Sequence, residues 1–145
     1  MTVVQTMEQA RSGEAFDNVE SVKGQPYKKE YKSRAREFPS MVLANGLLQT
    51  MSFLFSKSDK DEGCKNIAEH IRGWIKCAID REWLEQPVQP YSVKDVSETI
   101  RWLSSLNIRS YLAVTNEVMS FSPWLKRFAE GMIEENDRGI GTCAP

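Results

Sequence analysis

YKKEYKSRAREFPSMVLANGLLQTMSFLFSK, Tyr27–Lys57, is the stretch that decides the fold class. From Met41 to Phe55, apolar residues fall on nearly every face of a helix turned at 100° per residue, and no useful run alternates with the period of two that a strand needs. A segment apolar all round belongs in the buried centre of a helical bundle. Pro39 suits the first position of this helix, or equally a kink in one longer helix from Tyr27 to Lys57. Gly46, in mid-helix, costs about 1 kcal/mol against Ala, and close approach of a neighbouring helix would offset that cost.

Working outward, three- and four-residue apolar spacings continue on both sides. Towards the N-terminus a helix is expected over about Thr2 to Lys23, with Gly24 just past its end and Pro26 beyond. Downstream, SKSDKDEGC (Ser56–Cys64) reads as a loop. Its Asp59, Asp61 and Gly63 suggest a calcium loop, but the twelfth position holds His70 where such a loop needs Glu. A third helix is expected from about Lys65 to Leu84, carrying Ile67, Ile71, Trp74, Ile75, Ala78 and Ile79. Pro87 and Pro90 end it, and Ser92 would cap a fourth helix with Asp95 three residues on. After a break near Leu106–Asn107, a last long helix runs from Ile108 to Met132, kinked at Pro123. The expected architecture is all-α: a single compact bundle of five to six helices over residues 1–138, with a flexible tail at 139–145.

Composition removes several function classes. A hydrophobic fraction of 41% and a charged fraction of 27% in 145 residues exclude wholesale disorder. Cys64, Cys77 and Cys143 form no CxxC pair, so neither a disulfide scaffold nor a zinc site is expected. The N-terminus lacks a signal-peptide pattern, and no apolar run approaches the roughly 18 residues of a membrane span. A soluble, cytoplasmic protein follows. Chemistry is equally sparse. The only histidine, His70, lies in register with Ile67, Ile71 and Trp74 and reads as a packed or edge residue. No nucleophile elbow, phosphate loop or metalloprotease motif is present, and no cofactor or metal is expected. A helix-turn-helix reader is disfavoured, because the would-be reading helix Asn107–Met119 carries Arg109 as its only cation.

Charge placement is more informative. Net charge is −1, yet Lys23 to Arg36 holds Lys23, Lys28, Lys29, Lys32, Arg34 and Arg36 against one acid, Glu30. On a helix Lys28, Lys32, Arg36 and Lys29 fall within about 100° of arc, and Tyr27, Phe38, Tyr31 and Ala35 fall on the adjoining one. The aromatic arc is expected to pack on the bundle and the cationic arc to face water. Four aligned cations can neutralise several phosphates; they can also simply keep a surface soluble. A second pair, Lys126 and Arg127, flanks the apolar Leu125 and Phe128.

Two stretches together resemble one family. The first is EFPSMVLANGLLQTMSFL (Glu37–Leu54), with Pro39, Asn45, Gly46, Gln49, Thr50 and Phe53. The second is YLAVTNEVMSFSPWLKRFAEGMIE (Tyr111–Glu134), with Thr115, Glu117 and Trp124–Ala129. Both are similar to the small subunit of the Cmr complex, the RNA-guided type III-B CRISPR effector. Pro123 departs from the pattern, and the middle of the chain offers little beyond helical periodicity. The resemblance implies a non-catalytic helical subunit stacking beside the backbone and large subunits and beside copies of itself. It also implies a basic face lining the channel where target RNA pairs with CRISPR RNA, so that base pairing reads the sequence and protein holds the backbone. The implied nucleic-acid contacts are Lys28, Lys29, Lys32, Arg36, Lys126 and Arg127. The competing reading is a helical protein–protein adaptor that touches no nucleic acid.

Overall fold

A computed structural model describes residues 5–84 and 93–134. Six helices follow one another among them: α1 (Met7–Val22), α2 (Lys28–Asn45), α3 (Leu47–Lys57), α4 (Glu62–Asp80), α5 (Val96–Ser105) and α6 (Ile108–Met132). The all-α expectation holds, with no strand among the described residues. The tail expected at 139–145 and the cap expected at Ser92 lie outside them.

Local chemistry explains the helix ends. Thr6 and Gln9 form a reciprocal capping box on α1. Asp61, Asp95 and Asn107 cap α4, α5 and α6 by accepting from the amides of Cys64, Glu98 and Ser110. Asp95 is therefore the cap itself rather than a partner three residues into the helix. Asp61 starts α4 earlier than expected, which draws Gly63 and Cys64 out of the loop. At the other end Glu82 turns left-handed (φ 58°), and the Trp83 amide donates back to the Ala78 carbonyl at 3.0 Å. That closure stops α4 before Leu84, and it is made without the usual glycine.

The central apolar stretch departs most from expectation. α2 runs through Pro39, so the helix does not begin there, but it ends at Gly46, whose φ of +88° no other residue adopts cheaply. The chain changes direction at this point and restarts as α3. The Tyr111 hydroxyl fills the corner, accepting from the Leu48 amide at 2.9 Å. Because the two halves point differently, the faces of Met41–Phe55 do not all meet the core. Leu43 is 78% exposed and Phe55 48% exposed. α6, by contrast, continues unbroken through Pro123.

One core joins all six helices, centred on Trp74, Trp102, Tyr31, Phe38 and Phe121, with Trp74 and Phe121 stacked at 4.7 Å. Two features fix how the helices meet. At Gly63 a β-carbon would stand 2.5 Å from the Glu30 carbonyl carbon, so α4 crosses α2 at backbone distance. Glu117, buried on α6, accepts two hydrogen bonds from Arg11 on α1 (2.7 and 2.9 Å) and one from the Trp74 indole on α4 (3.0 Å). A buried carboxylate is tolerable only when satisfied in this way.

Two outcomes follow for stability. Gly63→Ala should destabilise by about 1–3 kcal/mol through overpacking, whereas Gly73→Ala on the same helix, where a β-carbon meets nothing within 4 Å, should stabilise by roughly 0.5–1 kcal/mol. Thermal unfolding of both variants checks the opposite signs. Glu117→Ala should cost about 3 kcal/mol, because it strands the Arg11 guanidinium and the Trp74 N–H. A urea midpoint that barely moves would refute the role given to Glu117.

Candidate nucleic-acid interface

α2 is built with two unlike sides. Tyr31, Ala35, Phe38 and Val42 are buried, as the sequence pattern predicts, and Tyr27 is half-buried against the core. The Tyr31 hydroxyl and His70 Nδ1 share a hydrogen bond of 2.7 Å. Burial pushes His70 down to about 4, so at neutral pH it is an uncharged packing residue. Burial likewise raises the Cys64 thiol to about 11 and removes it as a nucleophile. Arg34 turns away from the other cations, to Asp61 (3.1 Å) and Glu37 (3.0 Å). Burial alone would raise the Asp61 carboxyl, but the Cys64 amide and the Arg34 guanidinium outweigh it and hold the group low.

Two of the remaining cations, Lys32 and Arg36, meet α6. Lys32 Nζ donates to the carbonyl of Ile133 at 2.8 Å, and Arg36 Nε reaches Glu130 at 3.3 Å. Later positions on α2 thus meet earlier positions on α6, so the two helices run antiparallel. At 100° per residue, Glu130, Ile133 and Lys126 fall on one flank of α6. Glu117 and Phe128, which meet Arg11 and Phe16 of α1, fall on roughly the opposite flank. α1 and α2 therefore lie on opposite sides of α6.

This arrangement corrects one expectation. Lys32 does not face water: its side chain is only 7% exposed. It occupies the seam between α2 and α6 because the last carbonyls of α6 lack intrahelical partners and attract a cation. Arc position alone could not reveal which part of the cationic arc a neighbouring helix covers. Around Lys32, however, the cations do converge. Lys29, Lys32, Ser33 and Arg36 line one cleft of about 180 Å³. Lys28 is half-buried and Lys29 exposed, one turn towards the start of α2. Lys126 is half-buried on the flank that α2 covers, about one turn beyond the Arg36–Glu130 pair; Arg127 is exposed on the adjoining open face. The structure thus brings Lys29, Lys32 and Arg36 together in the cleft, with Lys28 one turn before Lys32 on α2 and Lys126 and Arg127 about one turn beyond Glu130 on α6.

Two cleft features escaped the sequence reading. Ser33 lies one turn from Lys29, and its spacing was the available signal. Glu130 tempers the basic face, and its place one turn beyond Lys126 was the corresponding signal. Among the described residues no group of three or more His, Cys, Asp and Glu could hold a metal ion, and no helix is long and apolar enough to cross a membrane.

Known proteins share this arrangement of helices. The family model of the CRISPR-associated protein Cas_Cmr5 matches residues 7–132. The CRISPR system Cmr subunit Cmr5 of Thermus thermophilus is 26% identical over 133 residues, which cover 91% of this chain and 100% of the relative. The crystal structure of a Cmr5 family protein from the same organism shares the fold. Its TM-score is 0.70 at 23% identity, and the match spans 90% of this chain and 100% of that one. With the helical order, the two sequence stretches and a family match over nearly the whole described length in agreement, this chain belongs to the CRISPR-associated Cmr5 family of small Cmr subunits.

Proposed function

We propose that this protein is a non-catalytic subunit of a type III-B RNA-guided effector in the cytoplasm, acting in antiviral defence, and that it holds target RNA by its backbone at the α2/α6 seam. The observation that carries the reading is the convergence of Lys29, Lys32, Ser33 and Arg36 on one cleft in a chain of net charge −1. Lys28, Lys126 and Arg127 extend that positive surface along the seam. Contacts of this kind neutralise phosphates and read no bases, as suits a complex in which the guide supplies the sequence by pairing. Lys32 supports the cleft from behind through the Ile133 carbonyl, and Lys28, Lys29, Arg36, Lys126 and Arg127 make the contacts.

A second set of observations favours contact with other subunits, or with copies of this chain stacked beside it. Leu43, Ile108 and Leu112 are 78%, 67% and 49% exposed. All three lie within about one helical turn of the Gly46–Tyr111 corner. Exposed apolar side chains gathered in this way mark interaction surfaces more often than isolated ones do. If the adaptor reading is right, Leu43→Asp with Leu112→Asp abolishes assembly while RNA binding by the complex owes nothing to the seam.

The two readings separate by salt. Five phosphate contacts to a single strand give a log–log salt slope of about −3.5. Replacing Lys28, Lys29 and Arg36 with Ala, and sparing Lys32, should flatten that slope by about 2 and leave the unfolding midpoint near its original value. Fluorescence anisotropy with unrelated RNA sequences measures it. An unchanged slope removes the seam from RNA binding.

A further inference from the structure

A row of aromatic rings reaches the surface where α1 meets α6, across the open face of α6 from the seam. Phe16 of α1 is 44% exposed and stands edge-to-face with Phe128 of α6, their ring centroids 5.4 Å apart and their planes at 81°. Trp124, one turn earlier on α6, lies 5.9 Å from Phe128, and both are half-buried. Gly131 falls between Arg127 and Phe128 in angle, about one turn further on. A β-carbon there would meet nothing within 4 Å, so open space adjoins the rings. Arg127 is exposed and pairs with no carboxylate among the described residues. It stands about 60° round α6 from Trp124 on one side and about 60° from Glu130, at the seam, on the other. Glu20, the acid one turn on from Phe16, is paired with Lys23 at 3.2 Å.

Resting on the reading of the seam as an RNA contact, we propose that Phe16, Trp124 and Phe128 form a shelf on which an unpaired base of single-stranded RNA stacks, while Arg127 holds the phosphate attached to it. Base and phosphate come joined in a nucleotide, so a ring surface with an unpartnered guanidinium at its edge matches both parts at once. An apolar protein surface would match the rings alone. Every base has a π face, so stacking here reads no sequence and is compatible with a complex in which the guide does the reading. Arg127 joins the shelf to the seam: a strand crossing the open face of α6 passes from the cations of α2 and Lys126, over Arg127, to the rings. The seam then supplies the salt-dependent part of the affinity, and the shelf a part that depends on the bases and not on salt.

Anisotropy measurements on the full chain at low salt, with an oligouridine strand and an abasic strand of the same length and charge, test this. The unaltered protein should bind the abasic strand about tenfold more weakly. Phe16→Leu keeps apolar bulk at an exposed position and removes a π face; it should cut that ratio to about threefold and leave the salt slope unchanged, and Phe16→Tyr should restore the ratio. Adding Trp124→Leu to Phe16→Leu should bring the ratio near one. Because Trp124 also packs against the core, the unfolding midpoint is measured alongside, and if the double variant is unfolded the Phe16→Leu and Phe16→Tyr pair decides. Equal affinity of the unaltered chain for the two strands, or a ratio that Phe16→Leu leaves undiminished, overturns the shelf and leaves the phosphate contacts of the seam standing. Failure to bind either strand at low salt overturns both.

Discussion

The amine of Lys32 against the carbonyl of Ile133 is the contact on which the arrangement of this molecule turns. It joins the second turn of α2 to the capping residue of α6, where α6 has run out of internal hydrogen-bond donors. Once that register is set, the other cations of α2 have little choice. Arg36 lies beside Glu130, and Lys29 and Ser33 fall on the outer edge of the seam. The opposite flank of α6 is pinned as firmly by Glu117, whose carboxylate ties α1 and α4 to the same helix. α6 is thus a spine with a structural face and a basic seam on opposite sides.

Much of this was legible because helical periodicity is a local property. The buried stripe of α4 at Ile67, Ile71, Trp74, Ile75 and Ala78 is the one its spacing predicts. The break at Leu106–Asn107 and the passage of α6 through Pro123 were also visible, since the apolar phase survives the proline. The aromatic arc of α2 packs inward at Tyr31, Ala35 and Phe38 because side chains 100° apart on a helix cannot choose their neighbours independently.

What escaped depends on partners distant in sequence. Gly46 looked like a helical glycine; only the Tyr111 hydroxyl and the turn into α3 make it a corner. Gly63 looked like a loop residue, although the backbone of α2 forbids a β-carbon there. Lys32 is the instructive case for function. Its place on a cationic arc was plain, but whether water or a helix end lay opposite was fixed by α6, about a hundred residues later. The same long-range packing gave Glu117 a buried duty that its charge alone would argue against.

The central claim is that the seam between α2 and α6 carries the phosphate backbone. Lysine acetylation footprinting tests it most directly, with the subunit treated in the presence and absence of saturating single-stranded RNA at low salt. Lys28, Lys29 and Lys126 should lose reactivity on adding RNA. Lys60, Lys65 and Lys76, exposed on the α3–α4 loop and on α4, should keep theirs, and buried Lys32 should react poorly throughout. Protection centred on Lys65 and Lys76, or spread evenly over all exposed lysines, would contradict it.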